Sequence, residues 1–153
     1  MNTYRTTRRV KHSARKMFDL VADVDRYPEF VPMCESLSVR KRSGEPDGVE
    51  ILIADMAVGY KAIRERFTSK VTLDRPKLSI LVEYLDGPFS HLENRWRFRP
   101  ESETASEVDF YIAYEFRSKM LGMVMGALFD SAFRRFAEAF EKRADLIYRQ
   151  PAE

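Results

Sequence analysis

The stretch SKMLGMVMGALFDSAFRRFAEAFEKRADLIY, residues 118–148, decides the fold. From Phe129 onward the apolar residues Phe129, Ala132, Phe133, Phe136, Ala137, Phe140, Ala144 and Ile147 recur at steps of three and four. Arg134, Arg135, Glu138, Glu141, Lys142 and Asp145 take the other side, so this half reads as a helix with one buried face. The first half differs. Met120, Leu121, Met123, Val124, Met125, Ala127 and Leu128 put apolar side chains all around the cylinder, and something other than water must meet the second side. A helix of this length reaches about 45 Å, enough to lie across a whole curved sheet.

The residues upstream read as that sheet. Residues 4–10 form a strand with an Arg-heavy outer face, and Ser13 offers an N-cap to a short helix carrying Ala14, Met17, Phe18 and Val21. Residues 25–33 hold Pro28 and Pro32 among Tyr27, Phe30, Val31 and Met33, the pattern of a helical turn or lid. Strands follow at 37–42, 49–58, 60–73 and 78–85, with turns at 43–48, at Gly59, at 75–77 and at 86–89. In the last hairpin Trp96 and Phe98 alternate with Arg95, Arg97 and Arg99, and Val108, Phe110, Ile112, Tyr114 and Phe116 alternate with acidic or small residues. A turn centred on Glu103 sets Arg99 opposite Glu107 and Arg97 opposite Asp109. The expectation is one α+β domain, residues 1–153: a seven-stranded twisted antiparallel sheet wrapped around the long C-terminal helix, with two short helices after the first strand.

Composition narrows the function classes. Hydrophobic residues make up 44% and charged residues 33% of the 153, the balance of a folded globular chain rather than a disordered one. The net charge is +2, with Lys and Arg interleaved with Asp and Glu, so no nucleic-acid footprint is evident and no DNA partner is expected. Cys34 is the sole cysteine, which excludes an internal disulfide and fits a reducing compartment. Residues 1–10 lack the apolar core of a secretory signal, and no apolar run approaches the ~20 residues of a bilayer span. A cytoplasmic location is expected, with peripheral contact at the cytoplasmic membrane left open.

Catalytic signals are sparse. His12 and His91 have no Cys or acid at ligand spacing, and Cys34 has no base beside it in sequence. Alternation puts Glu65 on the inner face between Ile63 and Phe67, where a carboxylate needs a partner. It either pairs with an inward Arg or leaves at the sheet rim, or it serves as a polar contact at the end of a cavity.

Four stretches carry a resemblance to a known family: YPEFVP at 27–32, RERFTS at 64–69, DGPFSHLENRWRF at 86–98 and FDSAFRRFAEAF at 129–140. Together with the order of elements, they make nearly the whole chain resemble the START-like, helix-grip superfamily, in particular its coenzyme Q-binding and polyketide-cyclase-like branch, which includes the ribosome association toxin. The resemblance implies a hydrophobic ligand held between sheet and helix, with ubiquinone or a similar prenylquinone as the bound lipid, no catalysis and no other cofactor. Mitochondrial members carry a targeting extension that is not seen here, which points to a bacterial version. The residues expected to meet the ligand are Tyr27, Phe30, Val31, Glu65, Phe67, Trp96, Phe98, Phe110, Ile112, Tyr114, Leu121, Met125, Phe129, Ala132, Phe133 and Phe136; from Phe67 to Phe136, Leu121 aside, the same residues would line a ligand-free core of this architecture.

Met120, Met123, Val124 and Ala127 fall opposite Phe129, Phe133 and Phe136 on the helix. A dimer contact, cover by residues 27–33, or a helix start buried on both sides would each account for them. So would a membrane surface in which Phe30, Met120, Met123 and Val124 touch acyl chains while Arg117 and Lys119 meet head groups. On that last reading the ligand enters near residues 27–33 and the helix start. Two other functions remain in view. One is a ribosome-binding regulator that blocks subunit association, using Arg8, Arg9, Arg40, Lys41 and Arg42. The other is a cyclase or aromatase, for which Glu65, Tyr114 and His91 are the candidate acids and bases.

Overall fold

The computed structural model describes residues 1–60 and 62–148. Strand β1 (Asn2–Val10) leads into α1 (Ala14–Ala22), where the Ser13 side chain accepts a hydrogen bond from the Lys16 amide and caps the first turn. A 3-10 segment, Val24–Glu29, follows and contains Pro28. Strands β2 (Cys34–Gly44), β3 (Val49–Tyr60), β4 (Ile63–Asp74), β5 (Ser79–Asp86), β6 (Phe89–Pro100) and β7 (Ser106–Phe116) then run as an antiparallel meander. The chain closes on α2 (Lys119–Ile147), capped by Ser118 through the Leu121 amide.

The sheet order is β1-β7-β6-β5-β4-β3-β2, so the first strand closes beside the last. This is the expected α+β helix-grip architecture. The β6–β7 register sets Arg97 opposite Asp109 and Arg99 opposite Glu107, as the alternation required. Register shifts interrupt β2–β3, β4–β5 and β6–β7, and such bulges bend a strand and tighten its twist. The bent sheet holds α2 against β7 and β1, while α1 packs on β5, β6 and β7.

The turn expected at Gly59 is a correction. Gly59 lies inside β3 opposite Arg64, and the reversal comes after Tyr60. A side chain at Gly59 would put its Cβ 2.5 Å from the Glu35 carboxyl carbon, and that carboxylate pairs with Arg64 at 2.9 Å. The glycine permits close approach of Glu35 rather than a reversal. Gly87 does serve a turn: its φ is +142°, and a Cβ there would stand 2.6 Å from the Phe67 Cβ.

Candidate functional site

The inner face of the sheet and α2 enclose an apolar cavity. From α2 come Phe129, Ala132, Phe133, Phe136 and Phe140, delivered to one side by the three-and-four spacing. Strands β2 to β7 contribute inner-face residues including Leu37, Ala54, Met56, Phe67, Val71, Val82, Leu92, Trp96 and Ile112. Val24, Tyr27, Pro32 and Met33 close the remaining side. The open space is about 80 Å³. Pockets that take a drug-sized ligand measure about 300–1,000 Å³, so a lipid enters only if the walls part.

Two polar features stand in this apolar wall. Asn94 is spoken for, because its Oδ1 accepts from Trp96 Nε1 at 2.9 Å and its Nδ2 donates to the Tyr111 carbonyl at 2.9 Å. Ser69 is not. Its Oγ is buried without a hydrogen-bond partner, next to the β4–β5 bulge. An orphan hydroxyl in an apolar wall carries a desolvation cost that a ligand acceptor relieves.

Residues 25–33 take up the helical turn that the prolines suggested, and Tyr27, Pro32 and Met33 cover one side of the cavity. Tyr27 stacks edge-on to Phe140 with centroids 5.2 Å apart, and Phe30 meets the same ring at 5.0 Å. Arg143 lies over Phe30 at 5.1 Å and bonds Glu29 at 2.6 Å. The Tyr27 hydroxyl donates to the Val21 carbonyl, and burial raises its pKa. Met33 ends the lid at φ 66°, a left-handed conformation uncommon for a side chain of its size. The expected shared entrance at the lid and the helix start is therefore corrected. The lid seats on Phe140 and Arg143, and Met123 lies 17 residues earlier, about 25 Å along the axis.

Of the residues expected to meet a ligand, Tyr27, Phe67, Trp96, Ile112, Phe129, Ala132, Phe133 and Phe136 stand in the cavity wall. Phe98 packs edge-on to Phe18 below α1, and Phe110 lies behind Trp96. Tyr114 is buried against Phe133 and Phe89, and burial pushes its hydroxyl up to about 12. Met125 and Val31 are core residues, while Phe30 and Leu121 are half-buried outside the wall. Glu65 pairs across from Val58 but sits at the rim, in an open groove with Glu35, Arg64 and Arg66. None of Glu65, Tyr114 and His91 lines the cavity.

Sequence reasoning passed over Ser69, Asn94, Met56 and Val82. The signal for Ser69 and Asn94 is their inward position on alternating strands, but a polar side chain there adds nothing to an apolar pattern and so does not stand out. Met56 was obscured because Ile51, Ile53 and Ala57 make β3 apolar on both faces.

The outward apolar residues of α2 stay uncovered. Met120 is 74%, Met123 85% and Val124 56% exposed, which excludes cover by the lid or a helix start buried on both sides. Among the described residues no helix is long and apolar enough to cross a membrane. Nor do three His, Cys, Asp or Glu side chains gather there as a metal site needs. Cys34 is buried, and burial pushes its thiol up to about 11, away from nucleophilic chemistry.

Known proteins share this arrangement. The family model described as polyketide cyclase / dehydrase and lipid transport matches residues 10–141. The chain is 36% identical over 139 residues to the ribosome association toxin RatA of Vibrio cholerae, covering 91% of this chain and 92% of that one. It is 32% identical over 142 residues to the mitochondrial coenzyme Q-binding protein COQ10 homolog B of Xenopus laevis, covering 89% of this chain and 55% of that one. A START superfamily protein from Mycobacterium smegmatis superposes with a TM-score of 0.78 at 18% identity, over 95% of this chain and 98% of that one. With the match over residues 10–141 and the shared fold in agreement, the chain belongs to the polyketide cyclase / dehydrase and lipid transport family.

Proposed function

We propose that this protein binds a prenyl lipid, ubiquinone or a similar prenylquinone, between its sheet and α2, and presents it to respiratory or biosynthetic enzymes without catalysing a reaction. The observation that carries this reading is an aromatic cavity whose one unsatisfied polar atom is the Ser69 hydroxyl among the described residues. Burial supplies the affinity, since each CH₂ removed from water contributes roughly 0.8 kcal/mol. The Ser69 hydroxyl donates to a ring carbonyl. The absence of Glu65, Tyr114 and His91 from the wall supports binding over cyclase chemistry. Release of the lid from Phe140 and Arg143 opens the cavity. The exposed Met120, Met123 and Val124, flanked by Arg117 and Lys119, give a surface for peripheral contact with the cytoplasmic membrane. Organic extraction of freshly purified protein followed by mass spectrometry tests the reading. A near-stoichiometric prenylquinone is expected. An empty extract, with no thermal stabilisation on adding ubiquinone, overturns it.

A second reading, ribosome binding that blocks subunit association, is favoured by the near full-length similarity to a protein named for ribosome association. Sedimentation with ribosomal subunits at several salt concentrations tests it. Co-sedimentation that weakens steeply with salt is expected, because phosphate contacts release counterions.

A further inference from the structure

The outer face of the sheet, away from the cavity, carries an arrangement the lipid reading does not use. Three rungs cross β1, β7 and β6: Arg5–Tyr111–Arg95, Thr7–Asp109–Arg97 and Arg9–Glu107–Arg99. In the first, the strands on either side of β7 bring guanidiniums to the same ring, Arg5 Cζ at 5.0 Å and Arg95 Cζ at 5.4 Å from the Tyr111 centroid. In the second, Asp109 accepts from Thr7 at 2.8 Å and from Arg99 at 3.2 Å, which leaves Arg97 without the carboxylate opposite it. Among the described residues neither Arg5 nor Arg97 forms an ion pair, and both are exposed. These side chains line a groove of about 630 Å³ whose charged members are Arg5, Arg95, Arg97 and Arg99 against Glu93 and Asp109, a net charge of +2.

Arg95, Arg97 and Arg99 are successive outward residues of one strand, so they repeat every ~7 Å. A row of cations suits a polyanion with repeated charges better than a single acidic head group, and a ring held between guanidiniums suits a flat aromatic partner. We propose that this face is an RNA-binding surface, with Arg97 on one phosphate, Arg5 swung from the Tyr111 ring onto another, and a base stacked on the face of Tyr111 that Arg5 leaves. The choice of ribosomal RNA as the natural partner rests on the second reading above; the surface itself does not.

The test measures binding of a labelled mixed-sequence single-stranded oligoribonucleotide, and in parallel of purified ribosomal subunits, to the full chain and its variants. The double variant Arg5→Gln/Arg97→Gln is expected to weaken RNA binding at least about tenfold and to make the slope of log K against log salt shallower by about 1.4, at roughly 0.7 per lost phosphate contact. Tyr111→Leu is expected to weaken it at least about fivefold. Arg15→Gln/Arg135→Gln, which removes the same two charges from exposed positions on α1 and α2, off the outer face of the sheet, is expected to leave binding within about twofold. Circular dichroism confirms that each variant folds, and a variant that does not is replaced by Arg97→Gln alone. Failure of the wild-type chain to bind RNA, equal loss in Arg15→Gln/Arg135→Gln, or unchanged binding in the double variant each overturns the surface. So does loss of binding to anionic vesicles in place of RNA. Subunit binding that survives the double variant overturns the surface and leaves the ribosome reading standing; RNA binding without subunit binding does the reverse.

Discussion

Ser69 is the residue on which the cavity chemistry turns. Its hydroxyl is buried without a partner, so Ser69→Ala removes a cost rather than a bond, and thermal stability is expected to stay level or rise. If the hydroxyl donates to a quinone carbonyl, the same change weakens quinone binding about fivefold to tenfold, the worth of ~1–1.4 kcal/mol for one hydrogen bond. Thermal melts and quinone titrations separate the two effects; unchanged affinity would remove Ser69 from the site. Serine at an inward β4 position was legible as alternation, yet its lack of a partner was not, because that depends on what the bulge and the neighbouring strands place around it.

At the scale of elements, the lid and α2 make separate predictions. Arg143 holds the lid through an exposed ion pair to Glu29 and a cation–π contact with Phe30, both of which are weak in water. Arg143→Gln is therefore expected to speed quinone release several-fold in stopped-flow measurements while urea stability falls by no more than about 1 kcal/mol. An unchanged release rate would show that the lid is not the gate. On α2, Met123→Glu combined with Val124→Glu alters only exposed side chains, so stability is expected to move by less than about 0.5 kcal/mol. Vesicle flotation is expected to lose the bound fraction; persistence of both vesicle binding and quinone transfer would show that this face does not dock. The helix, its caps and its two unlike halves were readable from spacing. Which end of α2 the lid touches was not, since Tyr27 and Phe140 meet across more than a hundred residues of intervening chain.

For the whole molecule, titration predicts a stability plateau with two falling limbs. Glu29 is held below its ordinary value by hydrogen bonds from Arg26 and Arg143, Asp55 by Thr68 and then Arg40, and Glu138 by Lys142. Their contribution is present above the ordinary carboxylate range and is lost as pH falls through the depressed values. Burial raises Cys34 and Tyr114, so the contribution of Cys34 is complete below 9.0 and lost as pH rises to about 11, with Tyr114 following toward about 12. Urea midpoints across pH should show both limbs, and Cys34→Ala should flatten the first part of the alkaline one; an unchanged alkaline limb would mean that the thiol is not desolvated. Periodicity of side chains is a local property. By itself the sequence therefore determined the strand and helix order, the β6–β7 register and the aromatic face of α2. Cavity size, the lid's seat on Phe140, the unpartnered Ser69 and the guanidiniums around Tyr111 were decided by the tertiary structure alone, because each arises where strands and helices distant in sequence close on one another.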